Sequence, residues 1–203
     1  FVILWDSAIG HVERIRGHGD AVECLSSLDD GCVVSGHADG AIQLWDPETS
    51  RVQTRRVHDE AVTCLSVLDD GRIVSGSLDN TVRFWEPATD RVGKIGTHDY
   101  AVKCLSVLDE VRVVSGSHDS TIRLWNVVTG RIETTINVKT GVLCLAVVED
   151  GRVASGNFDG TVTLWNPGTG HVKTIVKHDK PVTCMSVLDD GRIVSGSYEG
   201  TVR

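Results

Sequence analysis

The chain lacks the marks of several large classes of protein. No stretch of its 203 residues approaches the roughly 20 consecutive apolar residues that span a bilayer. Its opening residues, Phe1 to Trp5, have neither the charged flank nor the length of a secretory signal. Positive charge is not in excess: 20 Lys and Arg stand against 28 Asp and Glu, a formal net charge of −8. Nucleic-acid binders carry a basic face that displaces counterions from phosphates, so neither DNA nor RNA suits this composition. The reading is a soluble intracellular protein of cytoplasm or nucleus, with no membrane and no nucleic-acid partner.

Cysteine chemistry is also thin. Six cysteines are present, but no two lie within four residues of each other, as most zinc-ligand pairs do. Five of them, Cys24, Cys64, Cys104, Cys144 and Cys184, recur every 40 residues. One thiol per repeat sets neighbouring thiols farther apart than the ~7 Å Cα limit for a disulfide, so they read as reduced, buried small hydrophobes. There is no G-x-S-x-G nucleophile elbow, and paired acids such as Asp69-Asp70 lack the alternating oxygen ligands of a calcium loop. No cofactor and no metal are implied.

What the chain has is repetition. Trp5, Trp45, Trp85, Trp125 and Trp165 step by 40, and CLSVLDDGRIVSGS from Cys64 returns from Cys184 with one change. The repeat fills residues 1–203 as a single domain without linker or low-complexity tail. One repeat, taken from His58, shows β-branched runs between turns and no long 3.6-residue period. Ala61 to Leu68 predicts a strand, and Asp69-Asp70-Gly71 a hairpin turn, because Gly tolerates positive φ and Asp bonds its own backbone. Arg72 to Ser77, Thr81 to Trp85 and the more polar Arg91 to Ile95 follow as strands, the last suited to an outer edge. Four antiparallel strands with two apolar faces make the blade of a β-propeller, an all-β fold. Five tryptophans in phase argue against a sandwich with accidental periodicity.

With Gly17-His18 opening a repeat and Trp45-Asp46 closing its third strand, the sequence resembles the WD-repeat family over its full length. The resemblance implies a hydrogen-bonded His, Ser, Asp and Trp tetrad in each blade. Here these are His18, Ser35, Asp39 and Trp45; His58, Ser75, Asp79 and Trp85; and His98, Ser115, Asp119 and Trp125. The fourth repeat keeps Ser155, Asp159 and Trp165 but has Val138 in place of His, so a looser or water-bridged opening loop is expected. The fifth keeps His178 and Ser195 with Glu199 for Asp, and Trp5 stands alone at the chain's start. The chemistry is sound on its own terms: indole donates to Ser, Ser to a neutral His nitrogen, and the other His N–H to Asp. Each net bond contributes about 1 kcal/mol, and removing one member costs more. A Ser-His-Asp hydrolase is a poor reading, since the constellation recurs in three repeats and Trp engages it each time.

By repeat phase, residues 1–16 hold outer strands of one blade, 17–56, 57–96, 97–136 and 137–176 are full repeats, and 177–203 hold inner strands of the last. The two partial blades complement each other in a closed five-bladed ring. The alternative is part of a larger propeller, typically seven-bladed in this family, whose exposed strand edges would promote self-association.

The resemblance also implies a docking face at the opening dipeptides and second turns. By position it carries Glu23, Thr63, Lys103, Leu143 and Thr183, then Ala38, Leu78, His118, Phe158 and Tyr198. Leu143, Phe158, Pro181 and Tyr198, with Lys180 nearby, have the composition of an interface hot spot, although Phe158 and Tyr198 would equally serve to cover the turn. The opposite face gathers acid pairs from Asp29-Asp30 to Asp189-Asp190, either as solvated turns or to steer a basic partner. The function expected is a non-catalytic scaffold for protein or peptide partners. A sensor module of a larger signalling protein is the alternative. A ubiquitin-ligase substrate receptor is disfavoured, because the Arg such receptors often carry three residues after Trp is here Ala8, Glu48, Ala88, Val128 and Gly168. A phosphopeptide reader would want clustered Arg, and only scattered Lys103, Lys139 and Lys180 are available.

Overall fold

The computed structural model describes residues 2–5, 12–15 and 20–203, and every element in it is a β-strand. Four sheets have four antiparallel strands each, in sequence order. The first blade is built from Val22–Ser27, Val33–His37, Ala41–Asp46 and Arg51–Arg56; the second from Val62–Val67, Ile73–Ser77, Thr81–Glu86 and Arg91–Thr97. The third comprises Val102–Asp109, Arg112–Ser117, Thr121–Asn126 and Arg131–Asn137; the fourth Val142–Val147, Val153–Asn157, Thr161–Trp165 and Val172–Lys177. No helix among the described residues is long and apolar enough to cross a membrane.

Local chemistry sets the strand ends. In the second blade Gly71 takes φ +82°, and Asp70 Oδ1 accepts the Arg72 amide at 3.1 Å, closing the first hairpin. Asp79 does the same for the next turn, where its Oδ1 accepts the Thr81 amide at 2.9 Å. Each first strand bulges between its Val and its Cys, as between Val62 and Cys64. The fourth strand of a blade is largely exposed, as its polar sequence predicts.

Burial lies between blades. Val34 and Ile42 of the first blade pack with Ile73 and Trp85 of the second, and Val74 and Val82 of the second with Val113 and Trp125 of the third. Val114 and Ile122 continue the pattern against Val153 and Trp165. A single blade has no means of covering both faces, so stacking is what stabilises the chain; truncating such a Trp to Ala costs roughly 3–5 kcal/mol. Glycine makes the stacking close. A Cβ on Gly76 would lie 2.5 Å from Val102 Cγ1, and one on Gly116 would lie 2.5 Å from Val142 Cγ1.

The partial blades stay apart. Val2–Trp5 pairs only with Val12–Ile15, and Val182–Val187 only with Ile193–Ser197, so among the described residues the array is open. A shared blade would set Val2–Trp5 beside Ile193–Ser197. That place is taken by the chain's own Thr201 to Arg203, through a Gly196 to Val202 bridge and reciprocal amide bonds between Ser195 and Arg203 at 2.8 and 3.0 Å.

Candidate functional site

The polar side chains singled out from the repeat fall at one end of the blades. In the third blade all four meet. Asp119 is a carboxylate: burial pushes its pKa up, but the Thr121 hydroxyl, the Asp99 amide and His98 more than offset that and hold it down. His98 Nδ1–H therefore donates to Asp119 Oδ2 at 3.0 Å, and Nε2 accepts the Ser115 hydroxyl at 2.7 Å. The Trp125 indole N–H donates to Ser115 Oγ at 2.7 Å, and its ring meets His98 edge-on at 5.8 Å. Burial lowers the pKa of His98 against the pull of Asp119, which favours the neutral ring that this chain of bonds needs. Ser115 is 0% exposed, so its hydroxyl is not presented to solvent.

The other blades vary. His58 links Ser75 at 2.8 Å and Asp79 at 2.9 Å, but the Trp85 indole donates to Asp90 Oδ1 at 3.2 Å instead of Ser75. In the first blade Ser35 engages His37 at 2.9 Å, Trp45 is buried, and Asp39 caps the Ala41 amide at 3.0 Å. Residue His18 and the side chain of Trp5 lie outside the described residues. In the fourth, Val138 is buried where a His would stand, and Ser155 turns to Thr163 Oγ1 at 2.5 Å. Asp159 caps Thr161, and the Trp165 indole N–H has no acceptor among the described residues. In the fifth, the extra methylene of Glu199 still reaches: His178 bonds Ser195 at 2.9 Å and Glu199 Oε1 at 3.1 Å.

The same hydrogen-bonded ends hold a row of turns in fixed register. The amides of His118, Phe158 and Tyr198 donate to the carbonyls of Ala101, Gly141 and Pro181 at 3.0, 2.9 and 3.0 Å. Side chains from three successive repeats thereby converge on one open groove of about 390 Å³. Leu143, Phe158, Pro181 and Tyr198 supply its apolar surface, and Lys103, His118 and Thr183 its polar margin. Phe158 is 61% exposed and Tyr198 81%, so neither is spent on covering its own turn. Leu78, on the equivalent turn of the second blade, is half-exposed but does not line the groove.

The opening loop of the fourth repeat, beside the groove, has two further features. Gly141 stands where three other repeats have Ala and the fifth has Pro181, and it lies against the His118 turn, at van der Waals distance for a Cβ. Lys139 adopts φ +69°, a conformation costly for a side chain with Cβ. The departure of Val138-Lys139 from the His-Asp that opens the second, third and fifth repeats is the signal that marks this loop.

On the opposite face one acid of each pair is committed to its own turn. Asp70 binds Arg72, Asp150 binds Arg152 and Asp190 binds Arg192, each at 2.7 Å. Among the described residues no group of three or more His, Cys, Asp or Glu is placed to hold a metal ion.

Comparison with known proteins agrees with this architecture. The family model for the WD domain, G-beta repeat, matches residues 10–46, 49–86, 90–126, 130–166 and 170–203. No curated protein matches the sequence. Among solved structures the chain is similar to the WD40 β-propeller domain of Doa1, at 25% identity and TM-score 0.84, covering 95% of this chain and 65% of that one. It is similar to the computationally designed Ika8 protein at 30% identity and TM-score 0.89, covering 98% and 63%. U3-55K shares the fold at 24% identity and TM-score 0.84, covering 93% and 62%. The chain thus spans less than two thirds of each of these structures.

Proposed function

This chain belongs to the WD40-repeat family, and from that premise we propose that it is a non-catalytic scaffold, in cytoplasm or nucleus, that docks protein or peptide partners in the groove at Phe158 and Tyr198. One observation carries the reading. Exposed aromatic and aliphatic side chains from three repeats are set side by side by backbone hydrogen bonds, on turns that have little freedom to collapse onto them. Rigid aromatic anchors beside a concave apolar surface give most of the energy in a typical protein interface, because little side-chain entropy is lost when they are covered. A site on loops over a stiff scaffold is where binding residues generally concentrate, which supports the reading.

One double variant and one control test this. Phe158→Ala combined with Tyr198→Ala is expected to release proteins that the unaltered chain captures from cell lysate. Both side chains are exposed, so thermal stability should hold to within a few degrees. Leu78→Ala, outside the groove, should leave capture intact. An unchanged set of captured proteins in the double variant would overturn the proposal.

A further inference from the structure

The groove has a charge its surroundings do not satisfy. Lys103 stands at its margin beside His118, and neither forms an ion pair with any carboxylate among the described residues. Asp159 and Asp179 lie outside the groove lining, and the other acids on these turns are already engaged. Asp119 accepts from His98, Thr121 and the Asp99 amide and lies 3.7 Å from Arg123; Glu199 accepts from His178, Thr201 and the Asp179 amide. Asp99 faces Arg123 at 3.9 Å. Lys103 also presses on its neighbour: burial, and then the Lys103 charge, lower the pKa of His118, so His118 does not compete as a cation near neutral pH. The two other lysines on these loops, Lys139 and Lys180, are exposed and likewise outside any described ion pair. In a chain of net charge −8, a groove whose lining holds Lys103 and no carboxylate departs locally from the overall sign.

We propose that the occupant of this groove is an acidic peptide segment, with an apolar side chain seated between Phe158, Pro181 and Tyr198 and a flanking Asp or Glu carboxylate on Lys103. This rests on the groove being the docking surface and adds what it selects. A carboxylate at the margin of an apolar cleft meets Lys103 in partly desolvated surroundings, where the attraction exceeds that of a fully exposed pair. The neutral His118 ring has one N–H to offer the same group. A basic segment would meet Lys103 with no carboxylate in the groove lining to answer it, so discrimination comes from repulsion as well as attraction.

The experiment measures fluorescence anisotropy of labelled decapeptide pools with a fixed central Leu or Phe. The positions flanking that residue are Glu in one pool, Gln in the second and Lys in the third. Acetylated and amidated ends remove the terminal charges. The Glu pool is expected to bind at least tenfold tighter than the Gln pool, and the Lys pool weakest. Lys103→Met should reduce that preference severalfold, Lys103→Glu should turn it towards the Lys pool, and Phe158→Ala should weaken the Glu and Gln pools alike. Glu and Gln pools that bind equally while both depend on Phe158 would overturn the acidic-segment inference and leave the docking site standing. If binding of every pool is indifferent to Phe158→Ala, both fail.

Discussion

At the scale of single residues, the repeated polar cluster shows how far identical letters diverge in use. Trp125 and Trp85 occupy the same phase, yet one indole donates to Ser115 and the other to Asp90. Asp90 sits five residues on in an outer loop at φ +56°, where it competes for the donor; spacing shows both acceptors and not which one wins. The neutral state of the buried histidines has a consequence in acid. His58 and His98 are lowered by burial below the ordinary 6.5, so as pH falls through 6.5 the unfolded chain takes up protons that the folded one does not. Stability present above that pH is lost below it. Asp79 adds a second loss: burial would raise its carboxyl, but Thr81, His58 and the Asp59 amide hold it at about 2 against 3.8, so its contribution fades as pH falls from about 4 towards 2. The melting temperature should decline from pH 7 downward, and His98→Asn should flatten the limb between about pH 5 and 6.5. An acid limb of unchanged slope in that variant would count against the neutral-histidine account.

At the scale of strands and turns, most of the fold was legible. Ala61 to Leu68 was expected and Val62–Val67 is found; Arg72 to Ser77 is found as Ile73–Ser77. Turn chemistry explains the accuracy, since Asp-Asp-Gly leaves the chain few alternatives. The fourth strand runs two residues further, to Thr97, because a bulge between Lys94 and Gly96 carries the pairing past the expected end at Ile95. A bulge leaves no mark in hydrophobic alternation. The groove was legible in its aromatic letters, but the contact of the His118 turn with the loop at Gly141 was not, because contacts between repeats leave no mark within one repeat. The same reasoning predicts unequal glycines. Gly76→Ala would place a methyl 2.5 Å from Val102 and 2.7 Å from Cys64, whereas Gly196 faces only Cys184 Sγ. Overpacking of that kind costs roughly 1–3 kcal/mol, so thermal denaturation should show Gly76→Ala several degrees below Gly196→Ala. Equal melting temperatures would contradict blade stacking as described.

At the scale of the whole molecule, function follows from the stacking of blades that cannot stand alone. The core lies between repeats, so each turn at the groove inherits its position from two blades at once, and three neighbouring turns form a groove that no single repeat contains. Acids of the opposite face are partly committed to arginines in their own turns, while Lys103 in the groove lining is in no described ion pair. The central claim is that partners dock in that groove, and methyl-resolved NMR of the chain titrated with a Phe158-dependent captured partner tests it most directly. The largest shifts should fall on the methyls of Leu143, with little change at Leu28, Leu68 and Leu188 beside the acidic turns. Shifts concentrated at those three leucines, with Leu143 unmoved, would place binding on the opposite face and contradict the account.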